Sequence, residues 1–206
     1  MSRHMSYCRL FSIAFIFFYA ISDASERTHY IVDEGKGIRS VVVLGENITK
    51  VIEQWGKPDR AAKDDFPYAT DMFYEYHERG VLFSSDQKGT IKSITFYCNT
   101  GNKEKFHKTG VMWINPSSIY STFRAKTSKG LVLRDKMKPE AIYDIYGKPE
   151  MTIRPGETDD IKTFIKKGTP FIYDMGKAGY SINYPAIGLS FTTFADMVES
   201  MDISID

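Results

Sequence analysis

The chain has 206 residues, which fits one large domain or two small ones at about 100 to 200 residues each. Lys and Arg number 27 against 26 Asp and Glu, a net charge of +1, so there is no basic field to hold a phosphate backbone, and general nucleic-acid binding is excluded. With 42% apolar and 14% aromatic residues the chain can bury a core, while two cysteines exclude a disulfide framework and a Cys-rich zinc site.

Residues 1–9 carry Arg3 and Arg9 without an acid, and 10–21 form an apolar run broken only by Ser12. Small residues follow as Ala20-Ile21-Ser22 or Ser22-Asp23-Ala24. This predicts a signal peptide over 1–24, cleaved after Ser22 or Ala24, and a periplasmic or extracellular product. An uncleaved anchor is the alternative, but the run is short of the roughly 20 residues a hydrocarbon core requires. Cys8 precedes the run, so it cannot be a lipid-modified cysteine at the cleavage point. Without Arg3, Arg9 and Asp23 the mature chain holds 25 basic and 25 acidic side chains and one cysteine, Cys98. It is expected to have no transmembrane segment and no internal disulfide.

Beyond the leader the sequence repeats. Val51-Ile52-Glu53-Gln54-Trp55-Gly56-Lys57-Pro58 returns as Ile142-Tyr143-Asp144-Ile145-Tyr146-Gly147-Lys148-Pro149. Gly80-Val81-Leu82-Phe83 returns as Gly188-Leu189-Ser190-Phe191, and Ile91, Ile94 and Phe96 return as Val198, Met201 and Ile203, an offset of 107. The second copy is longer, with an insertion within 150–180. In the first copy Asn47 is a good N-cap for an Ile48, Val51, Ile52, Trp55 stripe that Gly56 and Pro58 end. In the second, Pro139 opens the helix, and Gly147 with Pro149 closes it.

Strands are predicted next, over 70–77, 80–85 and 90–98, joined by turns at Glu78-Arg79 and 86–89. Ile94, Phe96 and Cys98 alternate with Ser93, Thr95 and Tyr97, so Cys98 reads as a buried thiol in preference to a reactive one. Residues 99–129 are a connecting segment. Asn115-Pro116 caps a helix there through Phe123 or Arg124, and 126–130 is a turn. The expected fold class is therefore α+β, with two tandem units (25–98 and 130–206), each of short helices packed on one face of an antiparallel β-meander.

A short helix ending in Gly-Lys-Pro, an aromatic strand, Gly-Val-Leu-Phe and a spaced Ile strand resemble the BLIP-like helix-plus-sheet unit. That unit is shared by the SmpA/OmlA outer-membrane assembly lipoproteins and the tandem-repeat β-lactamase inhibitor proteins. The resemblance covers 37–98 and 130–205 and implies an envelope or secreted binding module without catalysis. The lipoproteins' lipid-carrying cysteine and the inhibitors' disulfides have no counterpart here.

Catalytic signals are sparse. His4, His29, His77 and His107 show no paired-ligand spacing, so no metal site is expected. His77 and Glu75 on one strand are a candidate acid/base pair, although alternating polar residues on a half-exposed strand are the commoner case. Asp64-Asp65 and Thr158-Asp159-Asp160 lack the ligand alternation of a calcium loop and read as turns. Lys103, Lys105 and Lys108, and separately Lys162, Lys166 and Lys167, are small basic clusters suited to anionic lipid or an acidic partner, with a solvated loop as the plainer reading.

Period-two patterning sends Tyr74, Tyr76, Phe83 and Phe96 to the core. The opposite face of the first meander carries Phe73, Glu75, His77, Leu82 and Tyr97 and is the expected binding surface, provided that the segment from Asn99 does not cover it. The second meander offers the plainer Ser181, Asn183, Ser190, Thr192, Ser200 and Asp202. The expected function is thus an exported, non-catalytic binding protein of the bacterial envelope without a cofactor, whose partner is a protein or envelope component. The alternatives are a hydrolase using His77, His107 and an acid in a cleft between units, and a structural scaffold holding other proteins by edge strands.

Overall fold

The computed structural model describes residues 30–63, 71–98, 125–134, 136–156, 158–194 and 196–205. The described residues open with three short strands, β1 (Tyr30–Asp33), β2 (Gly37–Ile38) and β3 (Val42–Val43), followed by α1 (Thr49–Trp55). β4 (Arg60–Lys63), β5 (Met72–Tyr76), β6 (Val81–Ser85) and β7 (Ile91–Tyr97) form a meander. After β8 (Ala125–Thr127) come α2 (Glu140–Tyr146), β9 (Met151–Ile153) and α3 (Thr158–Lys167). A second meander of β10 (Phe171–Asp174), β11 (Tyr180–Tyr184), β12 (Leu189–Phe194) and β13 (Met197–Ser204) completes the order.

Over the described residues the protein is thus a β-dominated mixed α/β structure with three short helices and two sheets. The smaller sheet runs β3-β2-β1-β8, and the larger runs β4-β5-β6-β7-β13-β12-β11-β10-β9. Both meanders therefore share one sheet, because β7 pairs antiparallel with β13 in the register Thr95↔Asp202. One core joins Val32, Ile38 and Val42 of the small sheet, Val51 of α1, Ile142 of α2, and Phe83, Phe96, Phe191 and Met201 of the large one. The strand register places those large-sheet residues on a single side, the inner face, against which the helices and the small sheet pack.

Local sequence explains the helix ends. Asn47 Oδ1 accepts the Thr49 N–H at 3.0 Å, while its Nδ2 donates to the Lys88 carbonyl, so the side chain both caps α1 and ties it to the β6–β7 turn. Gly56 and Gly147 take φ of 82° and 83° but extended ψ, so the chain leaves each helix straight and Pro58 and Pro149 follow without strain. The inner face carries Tyr76 and Phe83, and Cys98 is wholly buried, as the alternation predicts.

Several expectations need correction. His77 does not close β5 but opens a 3-10 turn, His77–Arg79, which ends on Gly80 in the left-handed region. Residues 126–130 are not all turn, since Ala125–Thr127 pairs parallel with β1. Thr158-Asp159-Asp160 starts α3 instead of lying in a turn. The leader over 1–24, His29, Asp64-Asp65 and the helix and lysines expected within 99–124 lie outside the described residues. No described helix is long and apolar enough to cross a membrane.

Candidate functional site

The large sheet has a second side, the outer face, and its residues fall into three zones. At the β5–β7 end Leu82 and Tyr97 are buried, 2% and 4% exposed, and Phe73 packs against them as a hydrophobic cluster separate from the core. Beside them the Glu75 carboxylate meets His77 Nε2 at 2.8 Å and Arg60 Nη1 at 3.3 Å. Asp59 Oδ2 accepts the His77 backbone N–H at 2.7 Å, which fixes the imidazole's position on the turn.

In the middle zone the outer-face side chains become hydroxyls and amides, half-buried on β11 and β12 and buried at Thr95 and Ser200. Thr95 on β7, Ser200 and Asp202 on β13, Ser190 and Thr192 on β12, and Ser181 and Asn183 on β11 stand on the same side by register. The Asp202 carboxylate accepts the Thr95 hydroxyl at 2.5 Å and the Ser200 hydroxyl at 3.3 Å. Burial pushes its pKa above the ordinary aspartate value, and those two hydrogen bonds only partly oppose the shift. Asn183 Nδ2 donates to Ser181 Oγ at 2.9 Å. This floor therefore offers neutral donors and acceptors at close spacing, with its acid drawn toward the protonated form.

At the β9–β10 end, α3 lies over the same face. Phe171 is opposite Asn183 in the ladder and so belongs to the outer side, and its ring stands 6.1 Å from that of Phe164. The polar floor is thus bounded by the Phe73, Leu82 and Tyr97 cluster on one flank and by α3 on the other.

The five residues expected to bind are brought together in one zone, but that zone is not the open face anticipated. Leu82, Tyr97 and Glu75 are buried. Leu82 and Tyr97 pack together with Phe73 against them, and of the five only Phe73 and His77 keep partial exposure. Of the plainer set, Ser181, Asn183, Ser190, Thr192 and Asp202 are half-buried and Ser200 is buried. The bounding helix was not anticipated, although Ile161, Phe164, Ile165 and Gly168 carry its i, i+3, i+4, i+7 signal within the insertion.

Among the described residues no three His, Cys, Asp or Glu side chains gather as metal ligands would. Two grooves are also present. One, of about 330 Å³, follows the β2–β3 hairpin past Ile38, Ser40 and Val42, and the other, of about 320 Å³, lies beside Asp174, Tyr180 and Asp196. Neither includes His77.

Fold and face together define a β-dominated α/β protein with a polar sheet surface held between two apolar flanks. The family profile of DUF4309, a domain of unknown function, matches residues 29–184, and the chain belongs to that family. Among solved structures it is similar to a DUF4309 family protein (YjgB) from Bacillus subtilis subsp. subtilis str. 168, with 16% identity, a TM-score of 0.40, and coverage of 84% of this chain and 88% of that one. No curated protein matches it.

Proposed function

We propose that this chain is an exported, non-catalytic binding protein of the bacterial envelope, built from two tandem BLIP-like units, which holds a protein or envelope component on the outer face of its large sheet. The observation that carries the reading is the hydroxyl and amide floor, half-buried at Ser181 and Asn183 of β11 and at Ser190 and Thr192 of β12 and continued by the buried Thr95 and Ser200. Its closely spaced neutral hydrogen-bonding groups suit recognition of an uncharged polar chain, and its apolar flanks set the register of such a ligand.

The two-unit reading draws support from matched contacts. Trp55, Tyr76 and Phe83 form an aromatic triad with centroid distances of 5.3 to 5.9 Å, and Tyr146, Tyr184 and Phe191 form another at 5.4 to 6.4 Å. Tyr76 donates to the Gly56 carbonyl and Tyr184 to the Gly147 carbonyl. At the seam Ile94 pairs with Ile203 and Phe96 with Met201, about the pair Thr95 and Asp202. The offset of 107 makes Thr95 and Asp202 equivalents, so two copies related by a pseudo-dyad through that pair account for the arrangement.

The test places a photo-crosslinking amino acid at Asn183 or Thr192 in the native host, with Lys50 on α1 as control. Adducts from the first two positions and none from the third are expected. Adducts from Lys50 alone would move the site off this face. A hydrolase is the second reading, favoured by the 2.8 Å contact between His77 and Glu75. Any ester or amide turnover by the purified chain that His77→Ala abolishes would favour it over binding.

A further inference from the structure

Six large apolar side chains are exposed among the described residues, and two of them, Met151 at 44% and Ile165 at 40%, sit on β9 and α3, which pack together. α3 is held down by Phe164 over Phe171, so its outward side is presented by a fixed helix. On that side Lys162 and Lys166 stand one turn apart next to Ile165, while Lys167, two residues beyond Ile165, falls across the helix; all three are exposed. None of them enters an ion pair with a described side chain, those of 158–160 not being among them. Lys166 and Lys167 complement the C-terminal helix dipole. That role leaves Lys162 and the exposed apolar edge without an explanation.

We propose that this edge of α3 and β9 docks on an anionic lipid surface. The lysine ammonium groups meet the headgroup phosphates, while Ile165 and Met151 enter the boundary between headgroups and acyl chains. Lysine is depleted from protein interfaces, which rely on aromatic and arginine anchors, and the one aromatic ring of α3 is turned inward. A second copy docked by the same edge would set two lysines against two. The proposal is independent of the polar floor, which lies on the other side of the helix.

The test is co-sedimentation with vesicles of phosphatidylcholine alone or mixed with phosphatidylglycerol. Residues 1–24 contribute none of the described elements, so the chain from Ser25 is used, which keeps the apolar leader out of the lipid; its cooperative unfolding is checked first. Wild type is expected to bind the mixed vesicles and not the neutral ones. At roughly fivefold per lysine, K162Q/K166Q should bind about thirtyfold more weakly. I165S should bind several-fold more weakly at an unchanged denaturation midpoint. Equal binding to both vesicle types, or an unchanged affinity of K162Q/K166Q, overturns the proposal. So does self-association without lipid that I165S removes, which would assign the edge to a second copy, and so does an absence of lipid binding, which would leave an acidic protein as its partner.

Discussion

Two carboxylates show how the same fold sets opposite pH dependences. Glu34 is partly buried, which opposes its charge, but hydrogen bonds from Ser128, Tyr146 and the Lys129 backbone outweigh burial and hold its pKa below the ordinary value. Its contribution to stability is present above about pH 4.5 and is lost as pH falls through the lowered pKa. Asp202 is the reverse case: the folded state holds its proton more tightly, so stability falls as pH rises from about 3.8 through the raised pKa. Asp202→Asn should therefore be more stable than wild type at neutral pH, with the difference vanishing in acid. Denaturant midpoints measured across that range check this, and an Asn variant less stable at pH 7 would show that the charged form is needed. Tyr76, pushed up to about 12 mainly by burial, adds a loss of stability between pH 10 and 12. Tyr76→Phe should cost about 0.5 to 1.5 kcal/mol through the lost bond to Gly56, and Tyr184→Phe a similar amount if the units correspond. Trp55 lies within 5.3 to 5.6 Å of Tyr30, Tyr76 and Phe83, with the Arg79 guanidinium 4.6 Å over its ring. Trp55→Ala should cost about 3 kcal/mol, the low end for a large aromatic because the residue keeps some exposure. An unchanged unfolding midpoint would refute that packing.

At the scale of elements, the connections decide how the small sheet meets the large one. Gly188 ends the 3-10 turn Pro185–Ile187 at φ 54°, and an added Cβ would come within 2.5 Å of the Ser204 carbonyl and 3.1 Å of Gly35 Cα. The β1–β2 turn thus rests directly on the turn before β12. Gly188→Ala should destabilise the protein by about 1 to 3 kcal/mol, through the left-handed backbone and the clash together. A variant within experimental error of wild type would mean that the two turns part easily. The sequence repeat locates this glycine and its counterpart Gly80, but it carries no sign of the contact with Gly35, which belongs to an element outside the repeat.

At the scale of the molecule, the core runs unbroken from Val51 and Phe83 to Phe191 and Ile203, with β7 and β13 hydrogen-bonded along the seam. Unfolding should be a single transition, with far-UV circular dichroism and aromatic fluorescence changing at the same denaturant concentration. Two separated transitions would show that each half holds itself, and the seam would then be a docking contact between domains.

Short-range pattern determined much of this protein by itself. The i, i+3, i+4 stripes of α1 and α2, the period-two alternation of β5 to β7 and the Gly-Lys-Pro stops depend on neighbours in the chain, so they are legible in the sequence. The two sides of each strand are also assigned correctly, with Tyr76, Phe83 and Phe96 inside and Phe73, Leu82 and Tyr97 opposite. Burial of that opposite side is not legible, because alternation says which side a residue takes and nothing about what closes over it. The same limit hides the two-residue strands β2 and β3, too short to show a period. It also hides the unlike burial of Cys98 and Ile205, which the offset of 107 makes equivalents: Cys98 is buried and Ile205 is 41% exposed. Only tertiary structure joined β7 to β13, whose partners lie about a hundred positions apart, and laid α3 across the outer face, because strand pairing and helix docking are set by contacts that the local pattern does not carry.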